Sequence, residues 1–227
     1  ALDSMVAAGA KRVLIVGSGT TDYVVPDDVE LVYTDVAFGP QTRFVADCHD
    51  LPFADETFDG VLAIAIFEHV ADPGRCASEI HRVLSPKGRI YAATPFMQPV
   101  HMGRYDFTRF TYLGHRRLMR GFDSLKDGMA LGPGSTFGWA LEYYLLSFSD
   151  NLNVRRFLRT AGLLLSVPFK ITDRILQRKE GSLDAAGGLF FYGEKREEPI
   201  SDRELMTMYR GRDQVYEDMS KDVRSHF

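Results

Sequence analysis

Cysteine is nearly missing from this chain: Cys48 and Cys76 are the only two among 227 residues. They stand far apart with no Cys or His neighbours at ligand spacing, which excludes a disulfide framework and a zinc site. No metal is expected, and a reducing cytosol is the simplest compartment. No run of about 18 or more apolar residues could span a bilayer, and the start carries no signal-peptide pattern. An excess of positive charge is missing too. The formal net charge is −4, which argues against a nucleic-acid partner held by a general positive field. What remains is an ordinary globular composition, 45% hydrophobic and 26% charged, long enough for an α/β domain with additions.

The apolar pattern gives the order of elements. Consecutive apolar residues over 12–16 read as a buried strand of a parallel sheet. Further strands are expected over 31–34 ending at Asp35, over 44–46 ending at Asp47, over 58–66 and over 89–93. Asp72-Pro73 reads as an N-cap with proline at the first helical position. The helix that follows places Cys76, Ile80, Val83 and Leu84 on one face and stops at Ser85-Pro86-Lys87-Gly88. Alternating strands and helices imply right-handed crossovers and a doubly wound, mostly parallel α/β sheet. Gly187 to Glu197 reads as a closing strand, preceded by a helical insertion. Residues 1–134 with 183–199 are expected to form the α/β core, 135–182 the insertion, and 200–227 a charged helix and tail.

In such a sheet, ligands lie at the carboxyl ends of strands. Gly17 and Gly19 sit at the first of these ends, where a missing Cβ lets backbone approach a ligand. Asp35 ends the next strand, and a carboxylate there can accept both hydroxyls of an adenosine ribose. These features alone fit NAD enzymes and methyltransferases equally.

The following stretch separates the two. Asp47 with Asp50-Leu51-Pro52-Phe53, then Phe58-Asp59, Glu68-His69-Val70, and Arg82-Val83-Leu84 ahead of Pro86-Lys87-Gly88 resemble the class I S-adenosylmethionine-dependent methyltransferases. The resemblance is to the group related to the ubiquinone/menaquinone methyltransferases. It implies a Rossmann-like methyltransferase fold and S-adenosylmethionine as cofactor, with S-adenosylhomocysteine as product. By the same resemblance Val16, Gly17, Ser18 and Gly19 face the methionine end of the cofactor. Asp35 and Val36 face its ribose, Asp47 and Cys48 its adenine, and Ala63, Ile64 and Ala65 line the methionine side. Two positions depart from the family: Ile15 stands where an acid is common, and Thr21 where a glycine is common.

Thr94 to Thr111 leaves the fifth strand at the ligand-facing end and carries His101, Tyr105, Asp106 and Arg109 among aromatics. It resembles a loop found in a subset of these methyltransferases associated with glycan or cell-envelope biosynthesis. His101 is the candidate base, because a neutral imidazole accepts a proton near neutral pH. His69 and Tyr105 are the other candidate catalytic residues, Asp106 and Arg109 are spaced for an ion pair, and His81 is expected to face solvent.

Residues 151–179 hold seven basic side chains against one acid, Asp173, interleaved with Phe157, Leu163 to Leu165, Val167, Phe169, Ile171 and Ile175. The segment reads either as a lid packed on the domain or as an amphipathic element lying at an anionic membrane, the inner face of the cell membrane in that case. The reading is an O-methyltransferase for a small-molecule, glycan or lipid-linked acceptor. A non-catalytic scaffold of the same fold is the first alternative. An NAD(P) oxidoreductase is the second, against which the missing G-x-G-x-x-G spacing counts.

Overall fold

The computed structural model describes residues 1–211; the tail expected beyond, at 212–227, lies outside the described residues. In chain order the elements are α1 (Leu2–Ala7), β1 (Arg12–Val16), β2 (Glu30–Asp35), β3 (Phe44–Val45), β4 (Phe58–Ile64), α2 (Pro73–Val83), β5 (Leu84–Pro95), α3 (Tyr112–Leu118), β6 (Phe122–Leu131), α4 (Pro133–Leu146), α5 (Leu152–Leu176), β7 (Gly188–Lys195) and α6 (Asp202–Thr207). Seven strands form one sheet in the order β3-β2-β1-β4-β5-β7-β6. Neighbours are parallel from β3 to β5, whereas β7 runs antiparallel to both β5 and β6.

β1 explains why a run without alternation makes a strand. Leu14 and Val16 enter the core layer that holds Cys76, Ile80 and Val83 of α2. Val13 and Ile15 enter the opposite layer with Leu2 and Met5 of α1. A strand covered on both faces must be apolar at every position. Ile15 is therefore a packing residue of the α1 layer. Asp72 caps α2 by accepting from Arg75 N at 3.0 Å, with Pro73 at the first turn.

Four expectations need correction. The strand expected over 58–66 ends at Ile64, because Ala65 turns left-handed at φ 56°. β5 is longer than 89–93: Phe58 pairs with Leu84 and Gly60 with Arg89, so Ser85 to Gly88 bulge between them. β6 went unanticipated, because it is an edge strand in which only Phe122 is buried and Asp123, Lys126 and Asp127 break the apolar pattern. His81 is not solvent-facing: Nε2 lies 3.0 Å from the Arg196 carbonyl and the ring meets Phe122 edge-on at 5.4 Å.

The insertion is a hairpin of α4 and α5, placed between the adjacent strands β6 and β7. Its seam is made of small and polar residues with one aromatic pair, Phe137 and Phe169 at 4.6 Å. A Cβ on Gly134 would fall 1.9 Å from the Phe169 carbonyl oxygen, and one on Gly138 would fall 2.8 Å from the Ser166 Cβ. Gly162 packs on Glu142 in the same way, at 3.0 Å from its Cα. Buried Asp173 of α5 accepts from Gly134 N (2.7 Å), Ser135 N (2.9 Å) and Ser135 Oγ (2.7 Å), closing the amino end of α4. Buried Glu142 pairs with Arg159 at 3.1 Å. The lid expected to press its apolar face on the domain does not form that way. Phe157, Leu164, Ile171 and Ile175 all remain exposed.

Candidate active site

The carboxyl ends of β1, β2, β4 and β5 meet at one edge of the sheet. Gly17 and Gly19 leave β1 at φ 65° and 51°, the left-handed region that glycine enters without a Cβ clash. A Cβ on Gly19 would meet open space, whereas one on Gly17 would strike Ile66 at 1.8 Å, so the turn after β4 packs directly on this turn. Ser18 N donates to the Thr34 carbonyl at 2.9 Å, and the buried Ser18 hydroxyl has no partner among the described residues. Asp35 braces the turn: it accepts from Gly19 N at 2.9 Å and from Ala37 N at 3.2 Å. A carboxylate has about four lone-pair sites, so two remain for ribose hydroxyls. Val36 is exposed beside it.

Asp47 accepts from His49 N at 2.9 Å and faces His49 Nδ1 at 2.6 Å; the first of these bonds holds its carboxyl below the ordinary value. His49 Nε2 in turn accepts from Asp72 N at 3.1 Å, which ties the purine-side turn to the start of α2. Cys48 is buried, with its thiol against Cys76; that bond and burial push the thiol pKa up. Its side chain thus serves the core. Ala63 is buried, Ile64 is open at the end of β4, and Ala65 holds the strained turn with its N donating to the Ala93 carbonyl at 2.9 Å.

Beyond that turn the structure assembles a cluster that the sequence left scattered. Glu68 is fully buried and neither carboxylate oxygen has a hydrogen bond. Its Oε1 lies 3.8 Å from His69 Nε2 and 3.7 Å from His101 Nε2, and the two imidazoles meet edge to face at 4.8 Å. His69 Nδ1 donates to the Tyr105 carbonyl at 2.8 Å, which turns Nε2 toward Glu68. Donor atoms of Glu68, His69 and His101 all lie within 4.8 Å of one another, a span that a hydroxyl, a water or a small cation can bridge. Burial raises the Glu68 pKa. Burial and the neighbouring His69 lower that of His101, keeping its ring neutral at neutral pH.

The loop carrying His101 is held by charge. Asp106 accepts from His101 N at 2.8 Å and pairs with Arg109 through both guanidinium nitrogens, which brings its pKa down to about 2. Arg109 also donates to the carbonyls of Gln98 and Pro99, both at 3.1 Å, and of Thr108 at 3.0 Å. The Glu68 carbonyl accepts from Phe107 N at 2.8 Å, pinning the loop to the β4 turn. The expected Asp106–Arg109 ion pair is present. Tyr105 enters the cluster through its carbonyl only, and its half-exposed ring lies under the Arg104 guanidinium. Glu68 was missed as a functional residue, although its place directly before His69 was the available signal.

The sheet ends in a reversed strand and its first turn carries glycines backed by Asp35, an arrangement similar to that of class I S-adenosylmethionine-dependent methyltransferase domains. A family model described as a methyltransferase domain matches residues 26–92, a span that includes Asp35, Asp47, Glu68 and His69. The chain is 46% identical over 69 residues to demethylmenaquinone methyltransferase of Symbiobacterium thermophilum, covering 29% of this chain and 28% of that one. It is 36% identical over 120 residues to cycloartenol-C-24-methyltransferase 1 of Oryza sativa subsp. japonica, covering 53% and 31%. The chain thus matches less than a third of the length of either relative. Among solved structures, the 1,6-didemethyltoxoflavin-N1-methyltransferase of Burkholderia thailandensis shares the fold at 14% identity and a TM-score of 0.50, over 86% of this chain and 75% of that one. S-Adenosylmethionine is the cofactor of this class. The residues present fit it: the open side of Gly19 and the orphaned Ser18 hydroxyl lie on one turn, and the spare acceptor sites of Asp35 lie against it.

Proposed function

We propose that this chain methylates an oxygen of a small-molecule, glycan or lipid-linked acceptor. The observation that carries the reading is the convergence of His69 Nε2 and His101 Nε2 on the buried Glu68 carboxylate, on a turn packed against the donor-binding glycines. When bound, S-adenosylmethionine supplies a methyl group already activated by its sulfonium. Asp35 and the 17–19 turn hold the donor, and the Arg109-braced loop fixes the acceptor oxygen in line at about 3 Å. His101, its ring neutral, takes the hydroxyl proton as the oxygen gains the methyl. Glu68 offsets the imidazolium charge that forms, and His69, tethered through Nδ1, orients the acceptor.

The test is an incubation with methyl-labelled S-adenosylmethionine and hydroxylated acceptors, followed by analysis of the labelled bond. An O-methyl product supports the reading. Label on nitrogen or carbon would overturn the assignment of an oxygen acceptor. Donor binding with no turnover on any acceptor class would favour the scaffold alternative.

A further inference from the structure

The α4–α5 hairpin is built inside out. Gly134, Gly138, Gly162 and Ser166 line its seam, together with the paired carboxylates of Glu142 and Asp173. Apart from Phe137 and Phe169, whose rings meet across the hairpin at 4.6 Å, its large apolar residues point elsewhere. Phe157, Ala161, Leu164, Pro168, Ile171 and Ile175 recur every three or four residues, so they form one stripe along α5. Gly162, Ser166 and Asp173, the buried residues of α5, fall on the opposite side. Phe157 and Leu164 are 72% and 68% exposed, and Ile175 is 66% exposed. The tip continues the pattern, with Tyr144, Phe148 and Leu152 also exposed.

An apolar stripe of this length on a water-facing helix calls for an occupant, and the charges choose it. Arg156, Lys170, Arg174, Arg178 and Lys179 lie on or just beyond this helix, while Arg155 and Arg159 are tied within the hairpin to the Leu146 carbonyl and to Glu142. The lone acid of the segment, Asp173, is buried and consumed in capping α4. A second copy would bring two strongly basic helices face to face. An anionic lipid surface satisfies both the stripe and the charge. Among the described residues no helix is long and apolar enough to cross a membrane, so the hairpin would lie in the surface. The tip end of α4 also reaches the active-site loop: the Tyr143 hydroxyl donates to the Val100 carbonyl at 3.5 Å, next to His101.

We infer that the α4–α5 hairpin docks this chain on an anionic bilayer, with the α5 stripe in the acyl boundary and its basic residues among the headgroups. Docking does not depend on methyl transfer, and the experiment reads it directly. The full chain is sedimented with vesicles of pure phosphatidylcholine and of phosphatidylcholine with phosphatidylglycerol, at low and high salt. Binding is expected to the anionic vesicles alone and to fall as salt rises. Leu164→Glu with Ile171→Glu, and separately Arg156→Glu with Arg174→Glu, should each weaken it at least about tenfold. Circular dichroism and donor titration check that both variants stay folded. No binding of the native chain to anionic vesicles at low salt overturns the proposal. A native dimer in light scattering that Leu164→Glu with Ile171→Glu dissolves, without vesicle binding, assigns the stripe to a second copy instead.

Discussion

The two ends of this molecule solve packing in opposite ways. In the sheet, apolar residues go inside: β1 buries Val13 to Val16 between α1 and α2, and glycine appears where the chain must turn left-handed at a ligand-facing end. In the hairpin, glycine, serine and two carboxylates go inside, while leucine, isoleucine and phenylalanine go outside. Glycine thus serves conformation in one place and proximity in the other. A helix pair whose seam is small and polar gains little from leaving water. Its specificity comes from close backbone approach and from the cap that Asp173 provides.

The contrast can be broken most severely at the sheet end. His101→Ala should lower turnover by about 10²–10⁴-fold with donor affinity unchanged, because only proton removal is lost; steady-state rates beside calorimetric titration check it. Equal loss of both quantities would make His101 structural. Asp35→Ala should weaken S-adenosylmethionine binding by about 10–100-fold, from charge-assisted bonds worth ~1.5–3 kcal/mol, measured by the same titration.

At the hairpin end, Gly138→Leu forces a side chain into the Ser166 contact and should cost about 1–3 kcal/mol. Thermal unfolding measures that loss, and donor affinity should not change. A fall in donor affinity would mean that the two ends are coupled. Smaller still is a pH effect. The His101 pKa is lowered from 6.5 by burial and by His69, so its neutral, proton-accepting form persists below pH 6.5. kcat/KM should therefore hold as pH falls to 6.5 and drop only below it. Chelation should change nothing: treatment with a strong chelator is expected to leave turnover intact, and a loss restored by a divalent ion would make the Glu68 cluster a metal site.

The sequence made the sheet end legible because two-sided burial writes consecutive apolar residues into a strand, as in Val13 to Val16. It made β6 illegible for the complementary reason: an edge strand with Ser124, Lys126 and Asp127 in it has almost no buried face to record. The hairpin helices were legible as helices but not in their direction. Period alone marks the apolar face of α5, and it does not say that the glycine face is the one packed. His101 and His69 were readable as isolated candidates. Glu68 was not singled out: it stood directly before His69, but only the fold shows that it is sealed from water beside two imidazoles.

The position of the hairpin has a topological meaning. β6 and β7 are sheet neighbours, Leu131 is in register with Gly188, and Gly187 N donates to the Leu131 carbonyl at 2.8 Å. The two strands are therefore already closed where a tight turn would close them, and everything from Gly132 to Gly187 is an excursion from a single reversal. Closing so long an excursion rather than a tight turn costs on the order of 2 kcal/mol, because closure entropy grows only with the logarithm of length. The return of the excursion belongs to the core, since Leu183 and Ala186 are buried with Tyr112 and Leu189, so only the α4–α5 part stands apart as a unit that a shorter link could replace.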